Sequence, residues 1–227
     1  MVASIMETLA GVLRYFPNTM IVTFLTVGLL TARLNWFAVG AGGVLLSILV
    51  LIFQYIFLQA LNLGPLPGAA ILESCSILPI TTTEGKFSAF PSVWMAVTTY
   101  FATYILTNAV NIYTAPANQA STRIPVVQRK GLGLISIIAT VFLWLFLVVP
   151  RSFTGCETIW GSLLGIGIGA AAGWAWWKFL YACTQPAWPD IHGVMIGTAP
   201  GALRIGPLAC SPASVSTPQP QRSTTKK

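Results

Sequence analysis

The sequence of 227 residues predicts an all-α fold, a polytopic transmembrane helical bundle of about five spans followed by a disordered C-terminal tail. Three observations carry that expectation. Hydrophobic residues make up 55% of the chain and charged residues 7%, whereas soluble domains carry roughly a quarter charged residues. Mean hydropathy is +0.76. The charge-free stretches between the few Lys, Arg, Asp and Glu reach the length of about twenty residues that one crossing needs. Runs so continuously apolar lack the alternation of a barrel strand, and a helix satisfies its own backbone groups in lipid.

Residues 1–14 read as a short N-terminal interfacial segment, with Ile5, Leu9, Val12 and Leu13 expected to face lipid. Glu7 and Arg14 interrupt any apolar core of a cleavable signal peptide. The transmembrane domain is expected over residues 15–183, with spans near 17–32, 37–61, 91–113, 131–150 and 158–178. The first lies between Arg14 and Arg33, and the second is the longest and most apolar. The third begins at Pro91, an ordinary helix start in which Pro is tolerated in the first turn and Ser92 can cap. Its Asn108 and Asn111, three apart, read as interhelical hydrogen-bonding groups. The fourth fills the gap between Lys130 and Arg151, and the fifth the gap between Glu157 and Lys178. Gly161, Gly165, Gly169 and Gly173 recur every four residues on this last span, a packing stripe along which another helix can approach, preferably one of this chain. Trp174, Trp176, Trp177 and Tyr181 beside Lys178 read as an aromatic belt. Residues 184–227, rich in Pro, Ser and Thr, are expected to form a tail without a core of its own.

Charge sets orientation and removes several function classes. Arg14, Lys86 and Arg151 fall on one side of five crossings. The other side receives Arg33, Arg123, Arg129, Lys130, Lys178, Arg204, Arg222, Lys226 and Lys227. The excess predicts a cytoplasmic C-terminus and a non-cytoplasmic N-terminus, and it keeps its sign when the four distant tail residues are left out. The formal charge of +7 is scattered singly rather than gathered into a phosphate-tracking groove, so nucleic acid is not an expected partner. No Cys-x-x-Cys and no paired His occur, so neither a metal nor another cofactor is expected.

Three segments share the predicted non-cytoplasmic side: Gly64-Pro65-Leu66-Pro67, then Phe90-Pro91-Ser92-Val93-Trp94-Met95-Ala96, then Pro150-Arg151 through Glu157. In order and spacing they resemble the motifs of the type 2 phosphatidic acid phosphatase (PAP2) family. That family carries Lys-x6-Arg-Pro, Pro-Ser-Gly-His and Ser-Arg-x5-His-x3-Asp, which meet at one membrane face. Pro91-Ser92 is similar to the start of the second motif and Arg151 to the arginine of the third. Gly155 and the run Gly161 to Gly165 are similar to its continuation, and Gly64 to Pro67 to a remnant of the first. The resemblance implies a PAP2-like core over roughly residues 60–180. Its chemistry needs a histidine nucleophile, a histidine acid and an acidic partner. Here Val93-Trp94 stands for Gly-His, Glu157 for the second His and Gly161 for the Asp.

The expectation is therefore a degenerate scaffold that lacks catalysis. It would serve as a structural or assembly subunit of a membrane complex or envelope, with membrane lipids and other membrane protein subunits as partners. The alternatives are a lipid phosphate phosphatase or related enzyme acting through an unrecognised site, and a transporter of neutral solutes, since the spans carry no Asp, Glu, Lys or Arg. From the resemblance, Lys86, Ser92 and Arg151 are candidate contacts for an anionic head group, Glu157 opposing them unless it pairs with Arg151. Arg151 and Lys86 can equally be interfacial anchors. Cys75 and Cys156, both in loops of the oxidising side, are a candidate disulfide.

Overall fold

A computed structural model describes residues 13–60, 70–71, 87–88, 90–116, 125–153, 157–183 and 189–192. Among these, five helices form: α1 Phe16–Leu30, α2 Leu34–Ala60, α3 Val93–Thr114, α4 Val126–Phe153 and α5 Ile159–Cys183. Strands β1 Ala70–Ile71 and β2 Phe87–Ser88 pair antiparallel, Ala70 opposite Ser88. A helix lies over each of the five apolar segments of the sequence. Leu34–Ile56, Val126–Ser152 and Ile159–Ala182 are long and apolar enough to cross a membrane. The chain is thus an integral membrane protein with three helices of spanning character. α1, at 15 residues, is shorter than the hydrocarbon core requires. α3 has the length, 22 residues, but is studded with Thr, Tyr and Asn.

The burial of α3 explains its composition. From Trp94 to Phe101 every side chain is buried, and Tyr104, Asn108, Ala109 and Ile112 continue the buried face. A helix so largely enclosed meets mainly protein rather than lipid, which lets it carry polar groups such as Thr99, Tyr100, Tyr104 and the Asn108 amide nitrogen that bond to neighbouring segments. α4 is the opposite case: Leu134, Ile135, Ile138, Phe142 and Phe146 are all exposed, an apolar stripe suited to lipid tails.

Two ends of the bundle are defined by contacts. At one, Trp94 Nε1 donates to the Leu13 carbonyl at 2.9 Å, Gln54 Nε2 to the Pro91 carbonyl at 2.5 Å, and the Ser92 amide to the Gly161 carbonyl at 3.1 Å. At the other, Trp176 Nε1 donates to the Ala38 carbonyl at 3.1 Å, and Tyr100 reaches the Val39 carbonyl at 3.0 Å. Successive helices therefore alternate in direction. The α1–α2 turn closes with the Ala32 amide on Leu29 and the Arg33 amide on Gly28, which places Ala32 in the left-handed region at φ 51°. Gly165, Gly169 and Gly173 all face α3. A Cβ at Gly165 would stand 2.6 Å from the Ser92 carbonyl oxygen, one at Gly173 2.5 Å from that of Tyr100, and one at Gly169 would overlap that of Ala96.

Three expectations change here. Leu13, expected to face lipid, is buried with Trp94, Met95, Leu147 and Val148, because the Trp94 indole needs its carbonyl. Of the expected aromatic belt only Trp174 is well exposed. Trp177 is buried and Trp176 is drawn inward by its bond to α2. The tail expected from residue 184 is not all outside the bundle: Pro189, Asp190 and Ile191 are buried in it.

Candidate functional site

Ser92 is the N-cap of α3. Its extended backbone turns the chain into the helix and its Oγ accepts the Met95 amide at 3.0 Å. The same hydroxyl donates to the Glu157 carboxylate. Arg151 stands in the last turn of α4, where a cation suits the helix dipole. Its Nε donates to Glu157 Oε1 at 3.1 Å, and its guanidinium lies over the Trp94 ring at 4.6 Å. The side chains of Arg151 and Glu157 are 2% and 3% exposed. Burial pushes the Glu157 carboxyl up from its ordinary value, against the charge of Arg151 and the hydrogen bonds of Ser92 and Arg151. The structure thus brings together Ser92, Trp94, Arg151 and Glu157, and the cation is neutralised within the site. With the Arg151 side chain 2% exposed, a phosphate would reach it only by opening the site and would compete there with Glu157 for the cation. Lys86, Cys75 and Cys156 lie outside the described residues.

A second polar cluster occupies the opposite end of α3. The segment from Pro189 to His192 is held by three helices. Asn35 Nδ2 of α2 donates to the Asp190 carbonyl at 2.8 Å and Trp36 Nε1 to the Ile191 carbonyl at 3.2 Å. From α3, Tyr104 donates to the Pro189 carbonyl at 3.0 Å, and Asn108 Nδ2 reaches Asp190 Oδ1 at 3.3 Å and His192 Nδ1 at 2.9 Å. From α4, Ser136 Oγ lies 3.3 Å from His192 Nε2. Asn108 therefore serves the C-terminal segment rather than a neighbouring helix. Sequence reasoning missed this cluster. The available signal was Asp190, the one acidic residue after Glu157, two positions before the chain's single His.

Ser136, His192 and Asp190 have the residue types of a hydrolytic triad but not its proton arrangement. A triad needs the proton on Nδ1, facing the carboxylate, and a free Nε2 to accept from serine. Here the group within hydrogen-bond reach of Nδ1 is Asn108 Nδ2 at 2.9 Å, while Asp190 Oδ1 is 4.0 Å away. The His192 ring is also remote from Arg151. Asn108 follows Ser92 by sixteen residues, about 24 Å along a helix axis.

Comparison with protein-family models, with curated proteins and with solved structures finds no match to this chain.

Proposed function

We propose that this chain is a non-catalytic, multi-pass membrane protein on a degenerate PAP2-like scaffold, acting as a structural or assembly subunit of a membrane complex or envelope. The observation that carries the reading is the state of the Arg151 site. Its cation is consumed by Glu157 and Trp94, its serine caps a helix, and the chain's single histidine sits at the far end of α3. The phosphoryl transfer of that family needs a histidine nucleophile beside the phosphate-binding cation, and among the described residues no histidine stands beside Arg151. Five crossings, with the N-terminus outside and the C-terminus in the cytoplasm, fit the alternating helix directions. In this arrangement α3 crosses packed against the other helices, largely shielded from lipid.

Purified protein in vesicles containing phosphatidic acid tests the reading. No inorganic phosphate should be released above the protein-free rate, and mild detergent should extract the chain with other subunits in fixed stoichiometry. Phosphate release that is lost in Arg151→Ala would make it an enzyme. A chain extracted as a free, stable monomer would remove the subunit role.

A further inference from the structure

The neutral imidazole with its proton on Nε2 is the ionisation state that matches every partner of His192. Asn108 Nδ2 donates to Asp190 Oδ1, which also accepts the His192 backbone amide at 2.9 Å. The same Nδ2 lies 2.9 Å from His192 Nδ1, so Nδ1 is the acceptor and Nε2 carries the hydrogen, donated to Ser136 Oγ at 3.3 Å. This tautomer is assigned from the hydrogen-bond network. Turning the Asn108 amide over would offer its oxygen to Nδ1 but set that oxygen against Asp190 Oδ1. Asn108 Oδ1 is buried and has no hydrogen-bond partner among the described residues.

We propose that His192 is a proton-operated latch: the neutral ring docks residues 189–192 into the end of the bundle, and uptake of a proton from solvent at Nδ1 releases them. Protonation makes Nδ1 a donor, so two N–H groups face each other across 2.9 Å and the bond to Asn108 is lost. Asp190, at 4.0 Å, is the charged group that acts on the ring. The other groups around the segment are Asn35 and Trp36 from α2, Tyr104 from α3 and Ser136 from α4. Tyr104 alone of these titrates, and its hydroxyl is held by the Pro189 carbonyl. The nearby cations are engaged elsewhere: Arg129 donates to the Pro116 carbonyl, Lys130 lies over Tyr113 and Lys178 over Trp177. Arg33 precedes α2 in the α1–α2 turn.

Burial lowers the affinity of His192 for its proton, and the Asp190 carboxylate offsets only part of that. For a histidine depressed on docking, the docked state is fully favoured above the released value of about 6.5. It weakens as pH falls through that value, and the loss is complete below the docked value. Release uncovers the Asn35, Trp36, Tyr104 and Asn108 donors as a polar notch. A residue outside the helices thereby controls access to the end of the bundle.

The single histidine makes the test direct. In the full-length chain, labelled at histidine nitrogen and held in lipid nanodiscs, the ring at pH 7.5 should show an unprotonated Nδ1 and a protonated Nε2, with a titration midpoint below that of free histidine. Amide exchange of residues 190–192, corrected for its intrinsic pH dependence, should speed up on the acid side of that midpoint by about tenfold for each unit by which docking lowers it. His192→Gln should abolish the pH step. The proposal is overturned by a protonated Nδ1 at pH 7.5, by exchange that is unchanged or slower at pH 5, or by the same step in His192→Gln. Should that variant not fold, the unmodified chain decides, since a ring titration that does not coincide with segment opening overturns the latch equally.

Discussion

Arg151 and Glu157 are nearly out of solvent, and withdrawing two charges from water costs several kcal/mol per ion before their attraction is counted. The two partners differ in what they can do when left alone. An arginine cannot discard its charge, whereas a carboxyl can take up a proton, and burial already pushes that of Glu157 upward. Glu157→Gln is therefore expected to cost about 3–5 kcal/mol of unfolding stability, the usual penalty for an uncompensated buried charge. Arg151→Met should cost less, and its deficit should shrink as pH falls. A carboxyl whose folded value is raised contributes stability below its unfolded value and loses it as pH rises through the folded one. Thermal unfolding of both variants between pH 4.5 and 7.5 in one detergent checks this. Equal losses that do not respond to pH would show that the ion pair is not what the two residues contribute.

The α3–α5 interface is the clearest case at the scale of elements. Three glycines of α5 meet backbone carbonyls of α3, so the two helices touch main chain to main chain and side chains of any size are excluded. Gly42 on α2 is a related case: a Cβ there would overlap the Tyr100 hydroxyl, which must pass to reach the Val39 carbonyl. Gly169→Leu forces a branched side chain into the Ala96 carbonyl and is expected to destabilise by about 1–3 kcal/mol or more, the range for overpacking. Gly167 has no neighbour within 4 Å and is the control. Gly167→Ala should be neutral or stabilising by up to about 1 kcal/mol, since alanine is the better helix former. Unfolding in mixed detergent reads both, and a Gly169→Leu protein as stable as the parent would mean that the helices approach less closely than described.

At the scale of the molecule, the alternation of helix ends binds distant chain segments into two polar caps around α3, whose N-terminal half is buried. One cap joins Leu13, Gln54, Ser92, Trp94, Arg151 and Glu157; the other joins Asn35, Trp36, Tyr104, Asn108, Ser136 and the segment at His192. Each proposed crossing adds one reversal, so five would place the termini on opposite sides, and the basic-residue excess predicts a cytoplasmic C-terminus. In sealed, right-side-out vesicles, added protease should remove an epitope placed before Met1 and spare one placed after Thr225. Removal of the C-terminal epitope alone would reverse the orientation, and loss or survival of both would make the number of crossings even.

The positions of the helices were legible because membrane insertion is a local property. A run of about twenty apolar residues between charges has one low-energy form in lipid, and it can be read without knowing any neighbour. The packing role of the glycines on α5 was legible for the same reason, since a four-residue period marks one helix face. Which helix they meet was not in the period. Likewise, Arg151 and Glu157 are close in sequence and their pairing was a foreseeable alternative, but their closure over Trp94 depends on where α3 stands between α4 and α5. Apart from the lone acid Asp190 beside the single histidine, nothing local marks Pro189 to His192 as part of the bundle. That segment is polar and follows prolines, and its bonds to Asn35 and Trp36 join residues 155 positions apart. Only tertiary structure brings those donors to one end of α3, where unpaired polar groups would be costly and the tail's carbonyls, Asp190 and the neutral His192 satisfy them.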